Sequence, residues 1–223
     1  MFKFNGISSQ EMKVIIEDED LFLARAPLKY ERTEINGRDG AIFNELGYSD
    51  IERPIKVQIM DVSKIDDIFQ WLNGQGILEY NDRITKAYFY NDFSPQRVSI
   101  IRVVEFSFIR TPFWYKKEDP FQIVATEIIN HGNIYSQPII RLEKGTSQQV
   151  DLIIAGIQFS YDFGNDDYVE IDCEEFCALY DGLNRNRQLN IGYKFPKLNP
   201  GKNEISVNSG DPIIKIKRGD RWL

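Results

Sequence analysis

One histidine, His131, and two cysteines, Cys173 and Cys177, are the side chains with which this 223-residue chain could do nucleophilic or transition-metal chemistry. A nucleophilic triad needs a base, usually histidine. His131 stands in Asn130-His131-Gly132-Asn133, a composition that reads as a turn. A structural zinc ion takes about four ligands, more than one His and two Cys supply. The cysteines are four apart, on one face of either a helix or a strand, and read as two partly buried thiols in a reducing compartment. Asp162, Asn165, Asp166 and Asp167 could form a weak calcium site, but they lack the spacing and distal Glu of an EF-hand loop; the other reading is a polar hairpin turn. The adjacent acids at Asp18 to Asp20, Asp66-Asp67 and Glu174-Glu175 could serve a glycosidase only if two carboxyls faced each other across a cleft; otherwise they are a solvated face. Trp71, Trp114 and Trp222 are the candidate sugar-stacking platforms, with packing the better reading for the first two. The chain has no GxSxG, HExxH, phosphate-binding loop or GxGxxG. Asp162-Phe163-Gly164 copies a kinase triplet without the other kinase elements, and Gly74-Gln75-Gly76 reads as a helix exit. The expectation is a protein that is not an enzyme and holds neither cofactor nor metal.

Charge narrows the partners. The net charge is -7. Up to Asp119 there are 16 Lys and Arg against 20 Asp and Glu, and beyond it 11 against 14. Neither half carries the clustered cations that neutralise phosphates, so neither sequence-specific nucleic-acid binding nor an anionic membrane surface is expected. No run approaches the ~20 apolar residues of a membrane span. The polar start MFKFNGISSQ does not resemble a signal peptide, which points to a cytoplasmic product.

These residues must be positioned mainly by strands. Hydrophobic residues make up 42% of the chain, and the aromatic share of 13% suits pleated surfaces. Ile55, Val57 and Ile59 alternate with Lys56 and Gln58; Ile157, Phe159, Tyr161 and Phe163 alternate with polar residues, as do Val169 with Ile171 and Ile205 with Val207. Val98, Ile100, Val104, Phe106 and Phe108 share a face of one long strand, with Arg102 the exception. One helix is expected, Ser63 to Leu72, with Ser63 as N-cap, Asp66 as its capping-box acid, Ile65, Ile68, Phe69 and Leu72 as the apolar stripe, and Gly74 as the stop. Asn91-Asp92 reads as a turn. From Phe121 onward, strands recur about every ten residues, around Ile123, Ile139, Leu152, Phe159, Ile171, Leu179, Val207 and Ile214. That spacing suggests a two-sheet sandwich of jelly-roll type.

The segment TPFWYKKEDP breaks the chain between prolines. Its aromatic triplet Phe113-Trp114-Tyr115 suits a strand end that anchors one domain on the other. The domains expected are 1-118 and 119-223.

Several segments then resemble one family in order. Gly37 to Tyr48 precedes the strand IERPIKVQIM, the helix DDIFQWL, the strand ILEY and the strand ending RTPFWY. NHGNIYSQPIIRLE, YVEIDCEE, LNIGYKFPKLNPGKNEISV and GDRWL follow. This order is similar to that of the siphophage distal tail proteins (Dit), a phage tail component family. The resemblance implies a β-rich N-terminal belt domain over 1-118 that forms a hexameric ring, and a galectin-like jelly-roll sandwich over 119-223. It implies a structural virion protein of a long non-contractile tail: a hub joining the tail tube and tape-measure end to the baseplate or receptor-binding tip, with DNA passing through unbound. It also implies assembly in the host cytoplasm. The alternative is a carbohydrate-binding host-recognition module, though no His-x-Asn-x-Arg run of galectin type is present.

A ring is a head-to-tail interface whose rotation closes, so each subunit needs two complementary patches. In the glycine-bounded segment 37-48, Ala41, Ile42, Phe43, Leu46 and Tyr48 are the expected subunit-interface residues, laid on a neighbour by a projecting arm. An ordinary hairpin packed on its own domain is the competing reading. The acidic balance suits a wall that repels DNA, or serves solubility alone.

Overall fold

The computed structural model describes residues 1-18, 22-90, 96-98 and 101-223. The chain divides into two compact units, Met1-Lys117 with Leu223, and Glu118-Trp222. As expected, it is mainly β with one short α-helix among the described residues, and no helix is long and apolar enough to cross a membrane.

The first unit contains β1 (Phe2–Phe4), β2 (Ile7–Ser8), β3 (Val14–Ile16), β4 (Leu28–Glu34), β5 (Ala41–Tyr48), β6 (Ile51–Ile59), α1 (Ile65–Trp71), β7 (Gly74–Tyr80), β8 (Arg83–Phe89), β9 (Gln96–Val98), β10 (Ile101–Arg110) and β11 (Trp114–Lys116). Its main sheet runs β2-β1-β7-β8-β10-β6-β3, with β9 also on β10 and β11 also on β8. The longest pairing holds β6 against β10, from Arg102 opposite Ile59 to Arg110 opposite Ile51. Alternation decides which face is buried. Ile55, Val57 and Ile59 of β6 face inward with Val104, Phe106 and Phe108 of β10. Phe22 joins them, its ring 5.4 Å from both Phe2 and Phe108.

Two local readings of the sequence are corrected. The long strand from Val98 is two strands: β9 runs back antiparallel on β10, with Val98 opposite Ile101, and Val98 is exposed. Ile100 and the Asn91-Asp92 pair lie outside the described residues. The helix begins differently too. A 3-10 turn at Val62–Lys64 precedes α1, and its N-cap is Asp61, whose carboxylate accepts from the Ser63 N–H at 3.0 Å. Ser63 therefore donates to a cap rather than being one. Ile68, Trp71 and Leu72 bury the helix face. Gly74, at φ 80°, opens β7 directly.

The second unit contains β12 (Gln122–Val124), β13 (Glu127–Asn130), β14 (Ile139–Glu143), β15 (Gln149–Ile154), β16 (Ile157–Asp162), β17 (Tyr168–Asp172), β18 (Cys177–Tyr180), β19 (Leu183–Asn184), β20 (Leu189–Ile191), β21 (Gly201–Ser209) and β22 (Ile213–Lys217). All eight strands read from the sequence are present. Two antiparallel sheets form, ordered β12-β22-β14-β17-β18-β19 and β13-β21-β15-β16-β20. Ile140, Leu142, Val169, Ile171, Ile214 and Ile216 from the first share one core with Val150, Leu152, Ile154, Phe159, Tyr161 and Ile205 from the second. This is a sandwich held by alternating inward residues.

Candidate assembly surface

Among the described residues, strands β4 and β5 pair only with each other. Their register runs from Leu28 opposite Tyr48 to Glu34 opposite Ala41, with a bulge where Lys29 and Tyr30 meet Gly47 and Glu45. The bulge leaves Leu46 without an opposite residue and increases local twist. Every residue of β4 is exposed, as are Ile42 to Leu46. Phe43 and Leu46 are each 60% exposed, Tyr30 56% and Ile42 43%. A ribbon with large apolar side chains in water on both faces has not buried them in its own unit. Full burial of such a side chain is worth roughly 1.5–3 kcal/mol, so covering the half still in water contributes about half of that.

Of the expected interface residues, Ile42 and Phe43 fall on opposite faces, because successive strand residues alternate. Phe43 packs on Tyr30, with ring centroids 5.5 Å apart. Ala41 and Tyr48 are half-buried. Leu28, Tyr30 and Ile35 complete the exposed apolar set and were missed from sequence. The alternation of Leu28 and Tyr30 with Lys29 and Glu31 was the available signal.

The arm's root is fastened by the segment that interrupts the sequence at 110-115. Tyr48 meets Phe113 edge-to-face at 5.5 Å, and the Ser49 N–H donates to the Pro27 carbonyl at 2.9 Å. Trp114 is buried, and its indole N–H donates to the Phe22 carbonyl at 3.2 Å. Arg110 is fully buried and donates to the carbonyls of Ala24, Thr111 and Pro112, with its guanidinium 5.1 Å from the Trp114 ring. Burial pushes Arg110 down to about 10, which leaves it charged at neutral pH. Tyr115 lies opposite Ile84 in the β11–β8 pair. Within the first unit, then, Phe113, Trp114 and the neighbouring Arg110 hold the two chain segments that lead into and out of the arm.

The family-like motifs of the second unit direct their polar atoms at one another. The Asn130 side-chain amide donates to the carbonyls of Ile134 and Leu198 at 3.0 and 2.8 Å and accepts from the Gly132 N–H at 2.7 Å. A Cβ on Gly132 would lie 2.2 Å from the Arg221 carbonyl oxygen, so only glycine fits. Asn203 closes the Pro-Gly turn by bonding Asn199 on both sides at 2.8 Å. Ser136 donates to the Arg218 carbonyl. Arg221 donates to the Tyr135 carbonyl and lies over its ring, which Lys197 also approaches.

The candidate chemical residues do not converge. His131 is exposed, and its backbone N–H donates to Asp220 at 3.3 Å. Cys173 is fully buried just after β17, and Cys177 is partly buried at the start of β18; burial raises both thiols, Cys173 strongly. Asp166 is engaged by Arg185 at 2.8 Å and by the Tyr161 hydroxyl at 3.2 Å, while Asp162 accepts from the Gly164 N–H. These bonds tie down the polar connection between β16 and β17, which lie in different sheets, so the segment is a sheet-to-sheet crossing rather than the hairpin turn expected. Among the described residues no three His, Cys, Asp or Glu side chains gather as a metal site. Asp66 and Asp67 sit exposed in the first turn of α1, where its dipole favours acids. Glu174 and Glu175 donate their N–H groups to Asp172. Asp20 lies outside the described residues. Trp71 is buried and its indole N–H donates to the Phe4 carbonyl, so neither it nor Trp114 offers a stacking face; Trp222 is half-buried.

Residues 131–222 match the model of the siphovirus-type tail component, C-terminal domain. The crystal structure of the Dit protein of phage SPP1, described as a paradigm of the hub adsorption apparatus in phages infecting Gram-positive bacteria, is similar with a TM-score of 0.77 and 12% identity, covering 100% of this chain and 98% of that one. The phage P2 baseplate in its activated conformation with Ca gives a TM-score of 0.46 at 12% identity, over 95% and 92% of the two chains. No curated protein matches the chain. The resemblance read from the sequence motifs therefore holds: the second unit carries the tail-component domain, and the chain has the SPP1 Dit fold.

Proposed function

We propose that this chain is a structural hub protein of a long non-contractile phage tail. Copies close into a ring, six by the family's habit, that joins the tail tube and tape-measure end to the baseplate or receptor-binding tip and lets DNA pass. Its place is the virion, after assembly in the host cytoplasm, and its work is done by shape rather than by reactive groups. Residues 1-118 form the ring, residues 119-223 are the galectin-like domain, and Phe113, Trp114 and Tyr115 brace the junction as well as the arm. The acidic balance keeps the channel wall from holding DNA.

The observation that carries this reading is the β4–β5 ribbon, rooted firmly and left apolar and uncovered along its length. A closed head-to-tail ring requires such a patch on each subunit. The test is the mass in solution of the chain and of the double variant Ile42→Asp, Phe43→Asp, which places a charge on each face of the ribbon. Ring-sized particles are expected for the natural sequence and folded single subunits for the variant. A variant that remains ring-sized by light scattering overturns the arm's role.

A further inference from the structure

Asn-Gly occurs at three places in the chain: 5-6, 36-37 and 73-74. This pair is chemically labile. The glycine's backbone nitrogen can attack the asparagine side-chain carbonyl carbon, and no Cβ obstructs the approach. The three sites share that chemistry and differ only in how the fold holds them.

Asn5 is clamped. Its side-chain oxygen accepts from the Ile77 N–H at 2.9 Å, and its own N–H donates to the Ile77 carbonyl at 2.9 Å. Its side chain also fills the space over Gly76, where a Cβ would fall within 2.5 Å of both side-chain amide atoms. Asn73 is exposed too, but it follows the helix terminus at Leu72, whose N–H donates to the Ile68 carbonyl at 2.9 Å, and Gly74 is already set in the β7–β8 ladder opposite Phe89. Asn36 is different. It is exposed at the tip of the arm, at the second position of a turn closed by the Arg38 N–H on the Ile35 carbonyl at 3.1 Å. Gly37 takes φ 83°, the value a type II turn demands of its third residue. In such a turn the N–H of the third residue is not used by the closing bond. Open space surrounds Gly37, as it does Gly6 and Gly74, so the sites differ in the hydrogen bonds that hold them and not in crowding. Among the described residues neither the Asn36 side chain nor the Gly37 N–H makes a hydrogen bond.

We infer that Asn36 is the chain's preferred site of spontaneous deamidation. The Gly37 nitrogen bonds to Asn36 Cγ, the Cγ–Nδ2 bond breaks, and the amide proton leaves with the side-chain nitrogen as ammonia. Water then opens the resulting five-membered imide at either carbonyl, giving aspartate or isoaspartate; nothing is oxidised or reduced. The product adds a negative charge to the arm's tip and, in the isoaspartate form, one more atom to its main chain.

The experiment incubates the purified full chain at mildly alkaline pH and follows tryptic peptides by mass spectrometry, with a parallel sample in guanidinium chloride. The peptide bearing Asn36 should gain the amide-to-acid mass and split into two isomers several-fold faster than those bearing Asn5 or Asn73. In denaturant the three rates should converge. Asn36→Gln should silence only its own peptide. Equal rates at the three sites in the folded chain, or conversion of Asn5 or Asn73 ahead of Asn36, would overturn the inference. This readout is independent of assembly. A fall in ring formation by aged chain rests additionally on the proposed role of the arm. Aged chain that still forms rings would count against that role and leave the site intact.

Discussion

The ring of Tyr48 stands edge-on to that of Phe113, 5.5 Å between centroids and 72° between planes. Tyr48 ends the outgoing strand of the exposed ribbon, and Phe113 belongs to the segment whose neighbours Arg110 and Trp114 hold the chain leading into the incoming strand through the carbonyls of Ala24 and Phe22. Both ends of the arm are thus fixed on one short stretch of chain. In the proposed ring, such a fixed root spares the conformational entropy that ordering the ribbon only on contact would cost.

Phe113→Ala should loosen that root without dismantling the sheet. Phe113 is half-buried, so the loss should be about 1–2 kcal/mol, below the range for a fully buried ring. Trypsin cleavage after Arg32 and Arg38 in the ribbon should rise more than at sites elsewhere. Unchanged cleavage there would mean that Arg110 and Trp114 fix the root by themselves.

Much of the fold was readable because strand burial repeats every second residue. Ile55, Val57 and Ile59 face inward as their alternation required, and all eight strands read after Phe121 are present. What escaped depends on partners distant in sequence or on local cap competition. Asp61 and Ser63 are both good capping residues, and only geometry shows which accepts. Val98 looks like a continuation of β10 because antiparallel neighbours carry the same alternation. The apolar segment 41-48 was visible, yet its pairing with Leu28 to Glu34 was not. The reason for a buried Arg110 lies in carbonyls such as that of Ala24, 86 residues away.

Two aspartates should give opposite pH signatures. Asp211 accepts from the N–H groups of Thr146 and Ser147 and from the Thr146 hydroxyl, which holds its carboxyl well below the usual range. Its contribution is present above the unfolded-state pKa and lost as pH falls through the folded one. Burial instead raises Asp220, against the opposing pull of Arg218 at 3.2 Å. That group favours the folded state below the unfolded-state pKa and loses this advantage as pH rises through the folded one. Thermal melts from acid to neutral pH should show the natural chain gaining on Asp211→Asn as pH rises and losing ground to Asp220→Asn. Parallel curves would show that neither carboxyl shifts on folding.

The motif around the only histidine offers a direct contrast between structure and chemistry. Asn130→Ala removes donors to two carbonyls and the acceptor of one N–H in a buried place; leaving such groups unmet should cost on the order of 3 kcal/mol. Gly132→Ala drives a methyl into the Arg221 carbonyl, a backbone atom that cannot swing aside, and should cost a similar amount. His131, between them, is exposed and contributes its backbone N–H, which alanine retains. His131→Ala should therefore stay within about 0.5 kcal/mol of the natural chain and form the same particles. Denaturant unfolding measures all three. A His131→Ala chain that folds normally but fails in tail assembly would show that this side chain has a role beyond supporting the turn, and that shape alone does not account for what the protein does.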